Sequence, residues 1–413
     1  MATGKNVLAL DATKQSERPL RVLLCCSGTG RINRGIESFF REAFDGLEGT
    51  TGLHLRLLKG AGVETADERV LWSVSRTSPL ARILGRLAKR NGYVFEQWSS
   101  LLSVAAQIRE FRPDVVFYSE ANLGFLLFGL RRWIGVPYKL VFSNGAPVRP
   151  PFERTDFVHQ VTPVHLAEAL QAGEPAERHF CVPYGIRLVN QPGRQGKEER
   201  AELRQQLGIP AHRQIVLSVG WVRRAHKRMH YVIHEIASLP YPRPYLQLVG
   251  LIDEQSQEII NLGKNILGQR GFGARSVPYQ EVFKYYQIAD CFVLASVKEG
   301  FGRAYLEALM HGLPVLAHEY PVSKYVLGEH GIFGDLTRAG SLAALLNREL
   351  KAQPDAQLIS RRWMAVRDRF SWPVLARSYR EMFQVAATAK INLSTRFGES
   401  PGRKAAESPV AAG

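Results

Sequence analysis

A chain of 413 residues is too long for one ordinary domain, and two domains of roughly 150–200 residues each are the natural expectation. Hydrophobic residues at 45 % and charged residues at 22 % are ordinary globular proportions, enough apolar material for two sizeable cores. The 54 Lys and Arg against 38 Asp and Glu leave a charge of +16. That excess favours contact with a polyanion, whether nucleic acid, an anionic membrane surface or a phosphate-bearing substrate, without choosing among them.

In chain order, residues 1–19 are polar and lack the continuous apolar core of a signal peptide. Residues 21–26 (RVLLCC) read as a buried strand, followed by the glycine-rich turn 27–35 and a helix on which Ile36, Phe39, Phe40, Ala43 and Phe44 recur at helical spacing. A strand follows at 53–58, and a helix ends at Phe111, where Pro113 breaks it. Strand, helix and strand then follow at 114–119, 122–133 and 138–143. A short strand at 157–161, a helix at 163–172 and a strand at 180–182 complete the series.

The polar, glycine-bearing run 190–200 marks a linker. A second alternating series then begins, with strands at 215–219, 245–249, 291–295 and 314–317. Its helices fall at 229–239, 254–267, 281–289 and 303–311. A final amphipathic helix carries Val374, Leu375, Tyr379, Met382 and Phe383, and the stretch from about 391 onward has the composition of a disordered tail. Alternating strands and helices imply doubly wound parallel sheets, and two such units put a cleft between the carboxyl ends of their strands.

The cysteines Cys25, Cys26, Cys181 and Cys291 form no C-x-x-C pair and read as free thiols, not as a disulfide framework or a zinc site. The apolar stretch 123–130 is cut by Arg131 and Arg132 and is too short to span a bilayer. These features lead to the expectation of a cytoplasmic protein, peripheral at most on the inner face of a membrane. The run 80–90, with Leu80, Ile83, Leu84 and Leu87 on one helical face beside Arg82, Arg86, Lys89 and Arg90, has the pattern of an interfacial helix. The plainer reading of that pattern, and the preferred one, is an N-terminal-domain helix packed on its sheet.

The most informative stretch joins a strand ending at Ser296 to a helix starting near Arg303 through Glu299-Gly-Phe-Gly302. A helix start offers free N–H groups and a positive dipole end to an anion such as a diphosphate, and Gly300 and Gly302 let a ligand approach the backbone. Glu299 in the loop can accept hydrogen bonds from sugar hydroxyls, and Glu307, one turn into the helix, from ribose hydroxyls. Taken singly, each glutamate reads first as a capping or surface residue of an ordinary βα unit. A second loop, Gly220-Trp-Val-Arg223-Arg224-Ala-His-Lys227-Arg228, follows a strand and turns its cations towards the same cleft. A desolvated Lys with a neighbouring Arg suits the charge growing on a departing diphosphate.

Glu299-Gly-Phe-Gly with Glu307, followed by Ala308-Leu-Met-His-Gly-Leu-Pro-Val315, resembles the E-x7-E signature of glycosyltransferase family 4. Residues 285–296, Cys181-Val-Pro-Tyr-Gly185 and Phe370-Ser-Trp372 match that family's flanking segments in order and spacing. The resemblance implies a GT-B fold of two Rossmann-like lobes facing a central cleft: an N-terminal acceptor-side lobe over 20–187, a linker over 188–200, a donor-binding lobe over 201–370 and a terminal helix over 371–390 that crosses back. It implies a retaining transferase that moves a sugar from a UDP-, GDP- or ADP-linked donor to a glycan, lipid or small-molecule hydroxyl. The lack of an H-x-x-x-H and of a D-x-D at a strand end leads to the expectation that it is metal-independent.

By the same resemblance Lys227 and an arginine stabilise the diphosphate, Glu299 orients the sugar, and Gly300, Phe301, Gly302 and Glu307 complete the donor site. The family arginine directly follows the glycine, where this chain has Trp221, so Arg223 or Arg224 is expected to replace it. On the other side of the cleft the candidates are Gly28, Gly30 and Arg34 of the first glycine loop, with Glu120 and Asn144. Asn144 stands where relatives carry a histidine, and could bond a sugar but not transfer protons. No tightly bound cofactor, metal constellation or nucleic-acid module is visible. The rival readings are a GT-B-shaped epimerase or phosphorylase, betrayed by reaction without acceptor or by a demand for inorganic phosphate, and a non-enzymatic polyanion binder, betrayed by steep salt dependence.

Overall fold

The computed structural model describes residues 18–32, 34–75, 78, 79, 83, 92–190, 197–353 and 355–390. The expected interfacial helix apart from Ile83, the centre of the linker, the tail and most of the N-terminal extension lie outside them.

The N-terminal lobe runs β1 (Leu20–Cys26), α1 (Gly35–Leu47), β2 (Leu53–Lys59), β3 (Glu68–Val70), α2 (Gly92–Phe111), β4 (Val115–Tyr118), α3 (Ala121–Ile134), β5 (Lys139–Ser143), β6 (Phe157–Gln160), α4 (Pro163–Gln171) and β7 (His179–Cys181). Its seven strands are all parallel, in the order β3-β2-β1-β4-β5-β6-β7.

The second lobe opens with α5 (Lys197–Gln206), which starts inside the expected linker. It continues with β8 (Ile215–Val219), α6 (Met229–Ala237), β9 (Tyr245–Val249), α7 (Ser256–Leu267), β10 (Phe272–Arg275), α8 (Tyr279–Ile288), β11 (Cys291–Leu294), α9 (Arg303–Met310), β12 (Val315–His318), α10 (Pro321–Leu327), β13 (Gly331–Gly334), α11 (Ser341–Glu349) and α12 (Ala356–Phe370). Its six parallel strands take the order β10-β9-β8-β11-β12-β13. In both lobes the order reverses beside the first strand, between β1 and β4 and between β8 and β11, which opens a crevice at the carboxyl ends of those strands.

The central strands are short apolar runs buried on both faces, as parallel sheets covered by helices require. The edge strands β3, β10 and β13 had no sequence signal strong enough to read. They are three or four residues long, half exposed, and polar or interrupted by glycine.

The lobes meet along a continuous apolar seam. The Ile186 amide donates to the Phe370 carbonyl at 2.9 Å, and α13 (Trp372–Thr388) then crosses back to lie on α1, β1, β4 and β5. The Trp372 ring fits between Gly46 and Gly185, where any Cβ would come within 2.2 and 2.6 Å of it. Tyr379 donates to the Pro183 carbonyl at 3.0 Å, and Tyr184 stacks on Phe39 at 3.7 Å. All four thiols are free; Cys25, Cys26 and Cys291 are buried, and Cys181 on the edge strand β7 is exposed. Among the described residues no helix is long and apolar enough to cross a membrane.

Candidate functional site

The loop between β11 and α9 presents Glu299, Gly300, Phe301 and Gly302 at the second lobe's switch point. Gly302 is the N-cap of α9 with φ +78°, a backbone that favours glycine, and no side chain caps the helix. The start of α9 thus carries no side-chain cap, and the Tyr305 amide donates back to the Gly302 carbonyl at 2.8 Å. Gly300 presses against the other lobe: a Cβ there would lie 2.1 Å from the Gly145 carbonyl oxygen. Phe301 is buried edge-on between Tyr184 and Phe370, with centroids 5.5 and 5.8 Å away. It anchors the loop from below.

The loop after β8 curls over this one. His226 (φ +62°) and Arg228 (φ +50°) both adopt left-handed backbone, strain that flanks Lys227 on either side. Arg228 donates to the Leu336 carbonyl at 2.6 Å, and Lys227 Nζ donates to Glu299 Oε1 at 2.5 Å. His226 Nδ1 stands 3.9 Å from the same oxygen. Burial pushes the Glu299 carboxyl up, but Lys227 and His226 outweigh it and hold it below its ordinary range.

The two candidate arginines part company. Arg224 is exposed and pairs with Glu258 on α7 at 3.0 Å, away from the cleft. Arg223 lies 3.6 Å from the centroid of the Trp221 ring with a buried Nε that has no hydrogen-bond partner. Burial, and then the nearby Arg34, lower its pKa.

Glu307 is buried on α9, with its carboxyl turned to α8. Tyr286 donates to it at 2.8 Å, and the Tyr279 hydroxyl lies 3.1 Å away. That hydroxyl is also 2.8 Å from Glu42 on α1, yet it has one hydrogen to give. Burial pushes the Glu307 carboxyl above its ordinary range, against the pull of Arg303. Arg303 closes the network across the lobes, donating to Glu42 at 2.6 Å and to the Gly185 carbonyl at 3.2 Å. Glu42, Tyr279 and Arg303 carry no motif in the sequence; only the packing of α1 against α8 and α9 brings them together.

The N-terminal candidates behave differently. Gly30 (φ +80°) backs onto Ala61, whose carbonyl oxygen a Cβ would meet at 2.3 Å, and the Gly28 carbonyl accepts from the Arg31 and Ile32 amides. Glu120 is buried and accepts from the Ser27 amide at 3.0 Å and from the Ser27 hydroxyl. Asn144 is buried too, bonding Val148 N at 2.7 Å, Gln160 Oε1 at 3.0 Å and Val148 O at 3.3 Å. These four residues hold loops in shape. Arg34 alone of this group reaches the second lobe, with its guanidinium 4.8 Å from the Trp221 ring centroid. Among the described residues no group of three or more His, Cys, Asp or Glu is placed to hold a metal ion.

The cleft therefore brings together the cations Lys227, Arg223 and Arg34, the carboxylate of Glu299 and the start of α9.

Comparisons with known proteins bear on the second lobe and on the fold as a whole. Residues 199–362 match the model of the family described as glycosyl transferases group 1. The chain is 25 % identical over 297 residues to the alpha-monoglucosyldiacylglycerol synthase of Streptococcus pneumoniae, an alignment that covers 65 % of each protein, just under two thirds of the synthase's length. Among solved structures, Anabaena HepE in complex with UDP-glucose superposes with a TM-score of 0.67 at 17 % identity, over 88 % of this chain and 99 % of that one. A sucrose-phosphate synthase from Thermosynechococcus elongatus superposes with 0.69 at 18 % identity, over 88 % and 98 %. The chain thus has the GT-B fold, and its second lobe carries the match to the glycosyl transferases group 1 family.

Proposed function

We propose that this protein is a glycosyltransferase that moves a sugar from a nucleoside-diphosphate donor to a hydroxyl of a glycan, lipid or small molecule. The observation that carries the reading is the pairing of Lys227 with Glu299 at the tip of α9, beside Arg223. One cationic loop and one helix start face the place a diphosphate would occupy, and a carboxylate faces the place of its sugar. The UDP-glucose held by the HepE structure and the lipid product in the synthase's name are consistent with this class of donor and acceptor.

The step balances without further reagents. The acceptor oxygen forms a bond to the sugar's anomeric carbon as the bond from that carbon to the diphosphate breaks. The diphosphate leaves with the electron pair, and the acceptor proton passes to a departing phosphate oxygen. Attack on the face the diphosphate leaves gives retention of configuration. Lys227 and Arg223 stabilise the leaving charge in a partly desolvated site, where such donors act most strongly. Glu299, held ionised, accepts from sugar hydroxyls. Glu307 receives the ribose once ribose hydroxyls replace its bond to Tyr279.

The test is a screen of UDP-, GDP- and ADP-sugars for thermal stabilisation, because a ligand that binds only the folded state raises its melting temperature. One nucleotide class should stabilise clearly; no shift with any of them would remove the reading.

We also assign the acceptor side a contact with anionic membrane. The first lobe exposes Trp72, Trp98 and Trp133, amphipathic anchors suited to a lipid interface, together with the apolar Leu102, and Arg109 donates to the Trp133 carbonyl at 2.7 Å. The whole chain should sediment with phosphatidylglycerol vesicles, and Trp72→Ser with Trp133→Ser should reduce it. Equal recovery with and without vesicles would end that part of the proposal.

A further inference from the structure

Trp221 stands where the resembling family places its diphosphate arginine, and the structure shows what the chain does there instead. The indole collects two guanidinium groups from opposite sides of the cleft. Arg223 of its own loop lies 3.6 Å from the ring centroid, and Arg34, at the N-cap of α1 in the other lobe, lies 4.8 Å away. The ring itself is fixed by its Nε1–H, which donates to Asp253 at 3.0 Å. Asp253 uses its other oxygen to hold the turn into α7 through the Gln255 and Ser256 amides. The remaining carboxylates of the neighbourhood are also committed, Glu258 to Arg224 and Glu299 to Lys227.

Two like charges are thus gathered at one indole ring, and among the described residues neither has a carboxylate at ion-pair distance, Asp253 attracting Arg223 only from farther off. Attraction between a guanidinium and an indole offsets part of the cost of bringing them together. What would complete the arrangement is an anion with two charges to share. A diphosphate has them.

We propose that Trp221 is a positioning residue that presents Arg34 and Arg223 together to the donor diphosphate, so that the donor's charge fastens the first lobe to the second. This rests on the donor reading of the cleft and goes beyond it. It assigns a role to a residue that replaces the usual cation, and it makes donor binding depend on a residue of the acceptor-side lobe. Planar guanidinium groups suit this better than lysines, because they stack on the ring and still offer edge N–H donors to phosphate oxygens.

The experiment measures binding of UDP, GDP, ADP and inorganic pyrophosphate to the full chain by calorimetry at low salt. The variants are Arg34→Met, Trp221→Leu, Trp221→Phe and the double variant Arg34→Met/Trp221→Leu. Arg34→Met, an exposed change that leaves the fold intact, should weaken nucleoside-diphosphate binding about tenfold, the worth of one charge-assisted hydrogen bond. In the Trp221→Leu background the same change should cost little, because the ring no longer presents the arginine. Trp221→Phe should recover most of the affinity, and in turnover assays the loss in Trp221→Leu should fall on the donor KM more than on kcat. If Arg34→Met binds like the parent, or costs the same with and without the indole, the proposal is overturned. If the parent chain binds none of the four probes, the donor reading itself fails, and the two failures are told apart.

Discussion

The two lobes share a strand order and differ in how they spend their polar residues. In the second lobe, loop side chains at the strand ends point at one another across the switch point and keep capacity in reserve. Lys227 has two further hydrogens beyond its bond to Glu299, Arg223 has a buried Nε without a partner, and α9 begins with no side-chain cap. In the first lobe the corresponding residues are consumed by their own loops. Glu120 holds Ser27, Asn144 holds the turn to Val148, and Gly30 admits the backbone of Ala61. The difference teaches that a polar residue at a strand end marks a site only when its hydrogen bonds are not already spent. By that measure the second lobe's side of the cleft keeps free hydrogen-bonding capacity, and of the first lobe's candidates Arg34 reaches across to it.

The largest effect that can break this comparison is at Lys227. Lys227→Ala should lower turnover by about 10²–10³-fold per folded molecule, as for the loss of one donor to a developing anion. Steady-state rates normalised to the folded fraction from a melting curve would measure it. Turnover within a few-fold of the parent would place the reactive centre elsewhere.

Asn144→Ala sharpens the contrast from the other side. It removes a buried side chain with three hydrogen bonds and leaves the Val148 amide without its acceptor. The expected cost is about 1–3 kcal/mol of stability in urea unfolding, with the acceptor KM within about threefold of the parent. A parent-like stability with a much larger acceptor KM would show that Asn144 touches sugar, and the division between the lobes would dissolve.

Much of this was legible in the chain. The buried runs at β1, β4, β8 and β11 and the helices between them followed from apolar pattern and proline breaks, because a parallel sheet buries both faces of its central strands. The loop from Glu299 to Gly302 and the lysine at 227 were legible for a similar reason, since glycines and charges next to a strand end leave a local trace. Two things were not. Whether Arg223 or Arg224 enters the cleft depends on the left-handed turns at His226 and Arg228 and on the pull of Glu258, none of which has a sequence signature. The Glu42–Arg303–Tyr279–Glu307 network depends on how α1 of one lobe meets α8 and α9 of the other, a contact between residues more than two hundred positions apart.

The smallest effect separates the two glutamates of the signature by the sign of their response to pH. Glu299 lies below its ordinary value of 4.5, through Lys227 and His226 working against burial. Its contribution to stability is fully present above 4.5 and is lost as pH falls through the depressed value. Glu307 lies above 4.5 because burial dominates, and the folded chain holds its proton more tightly than the unfolded chain does. Its contribution is fully present below 4.5 and is lost as pH rises through the raised value. Glu299→Gln should therefore flatten the acid limb of a stability profile taken between about pH 3 and 8, and Glu307→Gln the limb above 4.5. Glutamine can still accept from Tyr286 and donate to Tyr279, so Glu307→Gln imitates the neutral acid and the change in slope is not lost in a collapsed network. Were both variants to flatten the same limb, Glu307 would be an ionised partner of Arg303.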